Sequence, residues 1–295
     1  MNRKQTVVAV VLLSLAVALF AVFFLSGNNV AVLHPQGIIA QKQLNLMVIA
    51  TLLMLIVVIP VFVLTFGIAW KYRASNTKAK YSPDWDHNRT AEAIWWLIPT
   101  AIIGILAIIT WQSSHDLDPY KALDSAKKPV TVQVVALQWK WLFIYPEQGI
   151  ASVNMLEFPE DTPVNFEITG DAPMNSFWIP QLGGQVYAMA GMTTKLHLMA
   201  DHVGSYDGSS ANLSGQGFAG MKFTAKAVTR ADFDAWTTSM RRSPAALTTA
   251  EYNNLAKPSE NNAVKSYVAT EPDLYDRIIM KYMMPSPGAQ GAVAK

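Results

Sequence analysis

The chain contains three long stretches without a charged residue: Val7–Leu25, Leu44–Trp70 and Ile94–Trp111. A helix needs about 20 mostly apolar residues to cross a bilayer, so these runs bound the fold before any other feature does. Val7–Leu25 follows Asn2-Arg3-Lys4-Gln5, a basic start that suits either a retained helix or the apolar core of a signal peptide. Leu44–Trp70 carries Pro60, which a membrane helix tolerates as a kink. Ile94–Trp111 has Pro99 near its start and is bracketed by Trp95, Trp96 and Trp111, residues that favour the headgroup level. Composition agrees: 15% charged residues, against about 25% in a typical soluble domain, exclude an ordinary soluble protein. A net charge of +2, from 23 Lys and Arg against 21 Asp and Glu, gives no case for nucleic acid as a partner. The absence of cysteine excludes disulfides, iron–sulfur clusters, thiolate zinc sites and thiol nucleophiles. It also excludes diacylglycerol attachment after Leu25-Ser26-Gly27, where Asn28 stands.

Orientation follows from the loops. Residues 71–93 hold Lys71, Arg73, Lys78, Lys80 and Arg89, whereas 26–43 hold only Lys42, and cationic short loops stay in the cytoplasm. The membrane segment, residues 40–115 with crossings over 44–70 and 94–111, is therefore predicted to be a hairpin with a cytoplasmic tip. Arg3 and Lys4 place the N-terminus inside by the same rule, so everything after Trp111 is delivered to the outer face.

Beyond residue 115 strand-like stretches recur: Val130–Leu137, Trp139–Tyr145, Val153–Phe158, Val164–Thr169, Phe177–Ile179, Lys195–Met199 and Met221–Val228. Turn signals separate them, among them Pro146-Glu147-Gln148-Gly149 and Gly183-Gly184. Many short strands over 116–229 predict a β-sandwich or barrel. From Arg230 the period changes, with Phe233, Trp236 and Met240, then Leu274, Ile278 and Tyr282, at helical spacing. A helical appendix over 230–285 is expected, followed by a disordered tail, 286–295, of Pro, Gly and Ala character. The expected fold is a membrane-anchored all-β protein: residues 1–27 as signal peptide or retained helix, two transmembrane helices, a sandwich and a short helical appendix.

Several local sequences carry a family likeness. They are Trp70-Lys71-Tyr72-Arg73, Glu92-Ala93-Ile94-Trp95-Trp96, the run Trp139-Lys140-Trp141-Leu142-Phe143-Ile144-Tyr145-Pro146-Glu147-Gln148-Gly149, Met174-Asn175-Ser176-Phe177-Trp178-Ile179-Pro180 and Tyr187-Ala188-Met189-Ala190-Gly191-Met192. In order and spacing they resemble subunit II of the haem–copper respiratory oxidases, and within it the quinol-oxidase branch of cytochrome bo type. The resemblance implies a cupredoxin-like sandwich on the periplasmic side of a bacterial inner membrane. It implies subunit I and the other oxidase subunits as partners, with membrane lipid around the hairpin and quinol bound chiefly by subunit I. Cofactors are expected in subunit I, as haems and copper, and none in this chain.

The cytochrome c branch of the same family holds a two-copper centre on two Cys, two His, a Met and a Glu carbonyl. Carried over residue by residue, the first His position reads Asn175, and the Cys-x-Glu-x-Cys-Gly-x-x-His-x-x-Met run reads Ser210 to Met221. Ser210 and Ser214 stand for the thiolates, Asn212 for the Glu and Phe218 for the second His. Met221 alone survives. Bridged copper needs soft thiolates and imidazoles, so a metal-free shell is expected.

Glu92, just before the third apolar run, matches a family carboxylate at the mouth of a proton channel in subunit I. Read by itself it is a helix-start acid that favours the N-terminal dipole. Trp139, Trp141, Phe143 and Tyr145 alternate along one strand and are read as a packed sandwich face or a contact with subunit I, with no catalytic role. His34, His87, His115, His197 and His202 show no helical metal-pair spacing. Met189, Met192 and Met199 are read as core filler. The expected role is a required subunit of a proton-pumping quinol oxidase without an active site of its own. The competing role is a membrane-anchored cupredoxin-like binding or copper-handling module, which would need exposed ligands at proper spacing.

Overall fold

A computed structural model describes residues 19–20, 22–23, 30–80, 87–269 and 271–283 of the chain. The segment expected over 1–27 lies outside the described residues apart from Leu19, Phe20, Val22 and Phe23, which are helical. The expected tail, 286–295, lies outside them entirely.

The two apolar runs form α1 (Ile38–Lys71) and α2 (Arg89–Asp116), containing Pro60 and Pro99. A backbone in hydrocarbon must satisfy its polar groups internally, which a helix does. None of the side chains in the most apolar window of either helix is buried within the chain, so these helices form no soluble core; their apolar faces are left for lipid or another subunit. At ~1.5 Å per residue the 34 residues of α1 extend about 51 Å, well beyond the ~30 Å hydrocarbon layer. The excess is used at the start of α1. Its otherwise unpaired Ala40 N–H donates to Leu182 O at 3.2 Å, and the preceding Gln36 N–H donates to Gln181 O at 2.7 Å. Ala40 is buried and Ile39 packs on the sandwich core. At the other end Asn88 caps α2, its Oδ1 accepting from Ala91 N at 3.0 Å.

The sandwich comprises β1 (Val130–Leu137), β2 (Lys140–Tyr145), β3 (Ile150–Val153), β4 (Met155–Pro159), β5 (Val164–Gly170), β6 (Asn175–Trp178), β7 (Val186–Ala188), β8 (Thr194–Leu198), β9 (Gly204–Ser210), β10 (Lys222–Val228), β11 (Ala246–Leu247) and β12 (Lys265–Ala269). One sheet has seven strands in the order β11-β12-β3-β2-β1-β5-β8, the other five in the order β4-β10-β9-β6-β7. Strand β1 is central, antiparallel to β2 with Val134 opposite Phe143, and parallel to β5 with Val134 opposite Ile168. Between the sheets lies an aromatic core. Phe177 stacks on Phe223 at 5.1 Å between centroids, and Trp141 meets Phe177 edge-on at 5.4 Å, geometries aromatic quadrupoles favour. Gly208 faces Phe223 across β9 and β10; a Cβ there would lie 2.1 Å from the ring, so the core requires glycine at that position.

The appendix contains α3 (Arg230–Met240), α4 (Thr249–Leu255) and α5 (Leu274–Met283). The structure adds what helical spacing does not show: β12 pairs with the free edge of β3, and β11 with β12. Helix α3 closes the core between the sheets with Phe233 and Met240, whereas α4, α5, β11 and β12 cover the outer face of the seven-stranded sheet. Val135, Leu137, Leu142 and Ile144 bury themselves there against Leu247, Tyr252, Leu255, Tyr267, Leu274 and Ile278. Strand β2 is consequently buried at every position. The single strand expected over Val153–Phe158 is two, because Asn154 adopts a left-handed φ of 57°, which Asn tolerates, and the chain passes there from one sheet to the other. Asn154 secures the corner: Oδ1 accepts from Trp141 N at 2.9 Å and Nδ2 donates to Asn262 O at 2.9 Å.

Candidate functional site

Strands β6 and β9 are neighbours, with Phe177 opposite Ser210, and this pairing brings the first two positions of the expected shell together. Ser210 Oγ lies 3.0 Å from Asn175 Oδ1, to which it donates, and accepts from Ser176 N at 3.3 Å. Asn175 Nδ2 donates to Pro173 O at 2.7 Å, and Asn212 Nδ2 to Met174 O at 2.9 Å. Ser214 is buried and its Oγ has no partner among the described residues. Its carbonyl accepts from Trp139 Nε1 at 3.2 Å. The Trp139 ring presses on the short 3-10 turn Gln216–Gly220 so closely that a Cβ on Gly217 would lie 2.5 Å from it. Phe218 is half-buried in that turn. Met221, wholly buried, donates its N–H to Phe218 O at 3.0 Å and accepts from Ser210 N at 3.3 Å. Asn175, Ser210, Asn212, Ser214, Phe218 and Met221 thus lie around one end of the five-stranded sheet.

A copper pair does not fit this set. The donors are hydroxyls, amides and one thioether, and Ser210 Oγ, at a thiolate position, is engaged with Asn175. Neutral oxygen donors neither bridge two coppers nor replace imidazole. Among the described residues no three His, Cys, Asp or Glu side chains lie close enough to share a metal ion. The histidines have other contacts: His115 Nδ1 lies 2.7 Å from Trp111 O, His197 Nδ1 2.7 Å from Asn165 Oδ1, and the His202 carbonyl accepts from Tyr206 Oη at 2.6 Å.

Glu92 is nowhere near this cluster. It lies in the first turn of α2, at the end of the hairpin away from the sandwich. Its Oε1 is 3.4 Å from His87 Nδ1, and the two side chains are 41% and 58% exposed, so the carboxylate is open to its surroundings. The aromatic strand behaves as a packed face: Trp141, Phe143 and Tyr145 are fully buried in the core, and only Trp139 is half-buried. The methionine expectation fails in part. Met192, beside the outward turn at Gly191, is 45% exposed, and Met189 and Met199 are half-buried.

Two charged sites escape sequence reasoning. Lys140 is 1% exposed, and its Nζ donates to Leu255 O at 2.8 Å, Lys257 O at 2.8 Å and Ser259 Oγ at 2.6 Å, a cation placed at the C-terminus of α4 where the dipole favours it. Asp171, at the end of β5, accepts from Tyr252 Oη at 2.6 Å, from Lys281 Nζ at 2.7 Å and from Tyr282 Oη. Burial pushes the Asp171 carboxyl up, but the hydrogen bonds from Lys281, Tyr252 and Tyr282 outweigh it and hold the group below its ordinary value. Burial and the Asp171 carboxylate push the Tyr252 hydroxyl far up. The only signal in the sequence is the excess of tyrosine near the C-terminus.

Comparison with known proteins gives a consistent picture. Residues 241–286 match the COX Aromatic Rich Motif family, the segment that supplies Tyr252, Lys281 and Tyr282. The chain is 58% identical over 258 residues to cytochrome bo(3) ubiquinol oxidase subunit 2 of Pseudomonas putida, covering 88% of this chain and 82% of that one. It is 53% identical over 282 residues to the protein of the same name from Pseudomonas aeruginosa, covering 96% and 84%. Among solved structures, the periplasmic domain of subunit II of cytochrome oxidase from Bradyrhizobium japonicum aligns with 40% of this chain and 96% of its own, at 21% identity and a TM-score of 0.37.

Proposed function

The chain belongs to the cytochrome bo(3) ubiquinol oxidase subunit 2 family, and from that premise we propose that it is the subunit of a quinol-oxidising, oxygen-reducing complex that carries no redox centre itself. The observation that carries this reading is the Ser210–Asn175 hydrogen bond, 3.0 Å long, at two positions where the copper-bearing branch has a thiolate and an imidazole. Quinol delivers electrons from within the membrane, so a relay from a water-soluble donor has no task here. Haems and copper belong to subunit I on this reading. The hairpin clamps subunit I through the unburied apolar faces of α1 and α2, and the sandwich covers its periplasmic side.

The sidedness rests on Lys71, Arg73, Lys78, Lys80 and Arg89, which lie at the far end of the hairpin and hold it in the cytoplasm. Glu92 then stands at the cytoplasmic surface with a solvent-accessible carboxylate, placed to gather protons for subunit I. The experiment is steady-state quinol oxidation by the purified, fully assembled complex. Glu92→Gln is expected to slow turnover with haem content and quinol affinity unchanged, and Glu92→Asp to retain most of the rate. A residue that serves only the helix dipole contributes ~0.3–1 kcal/mol, which the assembled complex absorbs. Wild-type turnover in Glu92→Gln would therefore leave Glu92 a structural residue.

A further inference from the structure

Where the hairpin meets the sandwich, the chain forms a partly open cavity of about 270 Å³. Next to it lies a groove of about 270 Å³ between α1 and α2. Lys42, Asp116 and Leu117 line both, so the two adjoin across these three residues and differ in chemistry. Leu46, Ile49 and Ile109 wall the groove, whereas Gln43, Asp124 and His197 face the cavity beside Lys42. Lys42 and Asp116 stand just outside the charge-free runs 44–70 and 94–111. On the membrane placement proposed above, on which this inference rests, the cavity lies at headgroup level and the groove at the depth of acyl chains.

The charges of the cavity are incompletely paired. Lys121 reaches Asp116 at 3.7 Å, but among the described residues neither the Lys42 nor the Asp124 side chain has a hydrogen bond or ion pair. The free Lys42 cation therefore borders the same space as the free Asp124 carboxylate and as Asp118, whose carboxylate accepts only from Tyr120 N at 2.9 Å among the described residues. His197 donates through Nδ1 to Asn165 Oδ1 at 2.7 Å, which leaves Nε2 as an acceptor. Burial, and then Lys195, lower the His197 pKa, which keeps that lone pair free at neutral pH.

We infer that the cavity and groove together hold one zwitterionic aminophospholipid, with its phosphate on Lys42, its primary ammonium on Asp124 and His197 Nε2, and an acyl chain in the groove between α1 and α2. A phosphatidylglycerol headgroup would offer hydroxyl donors but no cation to pair with the Asp124 carboxylate. A quaternary ammonium would offer Asp124 and His197 no N–H.

The test uses the assembled oxidase, exchanged into nanodiscs of phosphatidylethanolamine and phosphatidylglycerol, re-extracted in mild detergent and weighed by native mass spectrometry. The wild-type complex is expected to retain one more phosphatidylethanolamine than the Lys42→Ala, Asp124→Ala double variant, and Lys42→Arg to restore it. In nanodiscs of phosphatidylcholine that additional lipid is expected to be lost. Equal lipid counts in wild type and double variant would overturn the inference, as would equal retention of phosphatidylglycerol or phosphatidylcholine. A neighbouring subunit's side chain filling the cavity in a structure of the complex would do the same. Reporter fusions separate this failure from failure of the membrane placement, since they read sidedness without reference to lipid.

Discussion

Asp171→Ala probes the joint between the sandwich and the aromatic-rich segment. The side chain is 2% exposed and accepts three hydrogen bonds, from Tyr252, Lys281 and Tyr282. Tyr252 is buried, and an orphaned buried hydroxyl costs about 1–3 kcal/mol. Hydrogen bonds to a charged group contribute about 1.5–3 kcal/mol, although Lys281, at 56% exposure, can turn to water and recovers part of its share. The expected loss is about 3–5 kcal/mol. At ~2–4 °C per kcal/mol for a domain of this size, that lowers the melting temperature of the full chain in detergent by about 6–20 °C. Protease should cut residues 241–283 first, since these lose their tether. Asp171→Asn keeps the shape without the charge and should fall between. The pH dependence has a definite sign. The native carboxyl is held below its unfolded value, near 3.9, so its contribution is fully present above about pH 4 and is lost as pH falls through the native value. The gap between wild type and Asp171→Ala should therefore close on acidification. A gap under about 2 °C at neutral pH, or one that persists unchanged through the carboxylate range, would refute the account.

Three further outcomes are expected. Restoring ligands with N175H, S210C, N212E, S214C and F218H, with Met221 kept, should yield a purple copper-binding protein, read by visible absorption and metal analysis; a folded variant that takes up no copper would show that these positions do not converge as described. A reporter fused after residue 80 should behave as cytoplasmic and one after residue 290 as exported; the reverse would invert the membrane placement. Gly208→Ala should cost about 1–3 kcal/mol by overpacking against Phe223, measured by thermal unfolding, and a neutral result would mean the β9 and β10 pairing is looser than described.

How far the sequence reveals the fold depends on where the burial comes from. Charge-free runs locate the hairpin, yet α1 begins at Ile38 and α2 at Arg89, because Ala40 docks on Leu182 and Asn88 caps a helix whose first turn is polar. Strand β1 is legible because its inner and outer faces differ at their start. Strand β9, Gly-Ser-Tyr-Asp-Gly-Ser-Ser, is missing from the expected strands, since it carries little apolar alternation and its second glycine answers to a ring on another strand. The positions Asn175, Ser210, Asn212, Ser214, Phe218 and Met221 emerge only from family likeness; nothing in their chemistry marks them. Asp171 is hidden for another reason. Its partners lie 81, 110 and 111 positions away, and no local pattern reports a contact of that range.

The pairing of β12 with β3 has a consequence for the order in which the protein is made. Val153 and Lys265 are 112 positions apart, which at ~5–20 residues per second is roughly 6–22 s of synthesis. Through that interval the nascent sheet presents an open edge at β3 and an uncovered apolar face on β2, both adhesive to other chains. Among the described strands, the last to leave the ribosome is the one that closes them. A chain shortened before the aromatic-rich segment would stay in that sticky state permanently, so a late stop codon should be more damaging to yield than its distance from the core suggests.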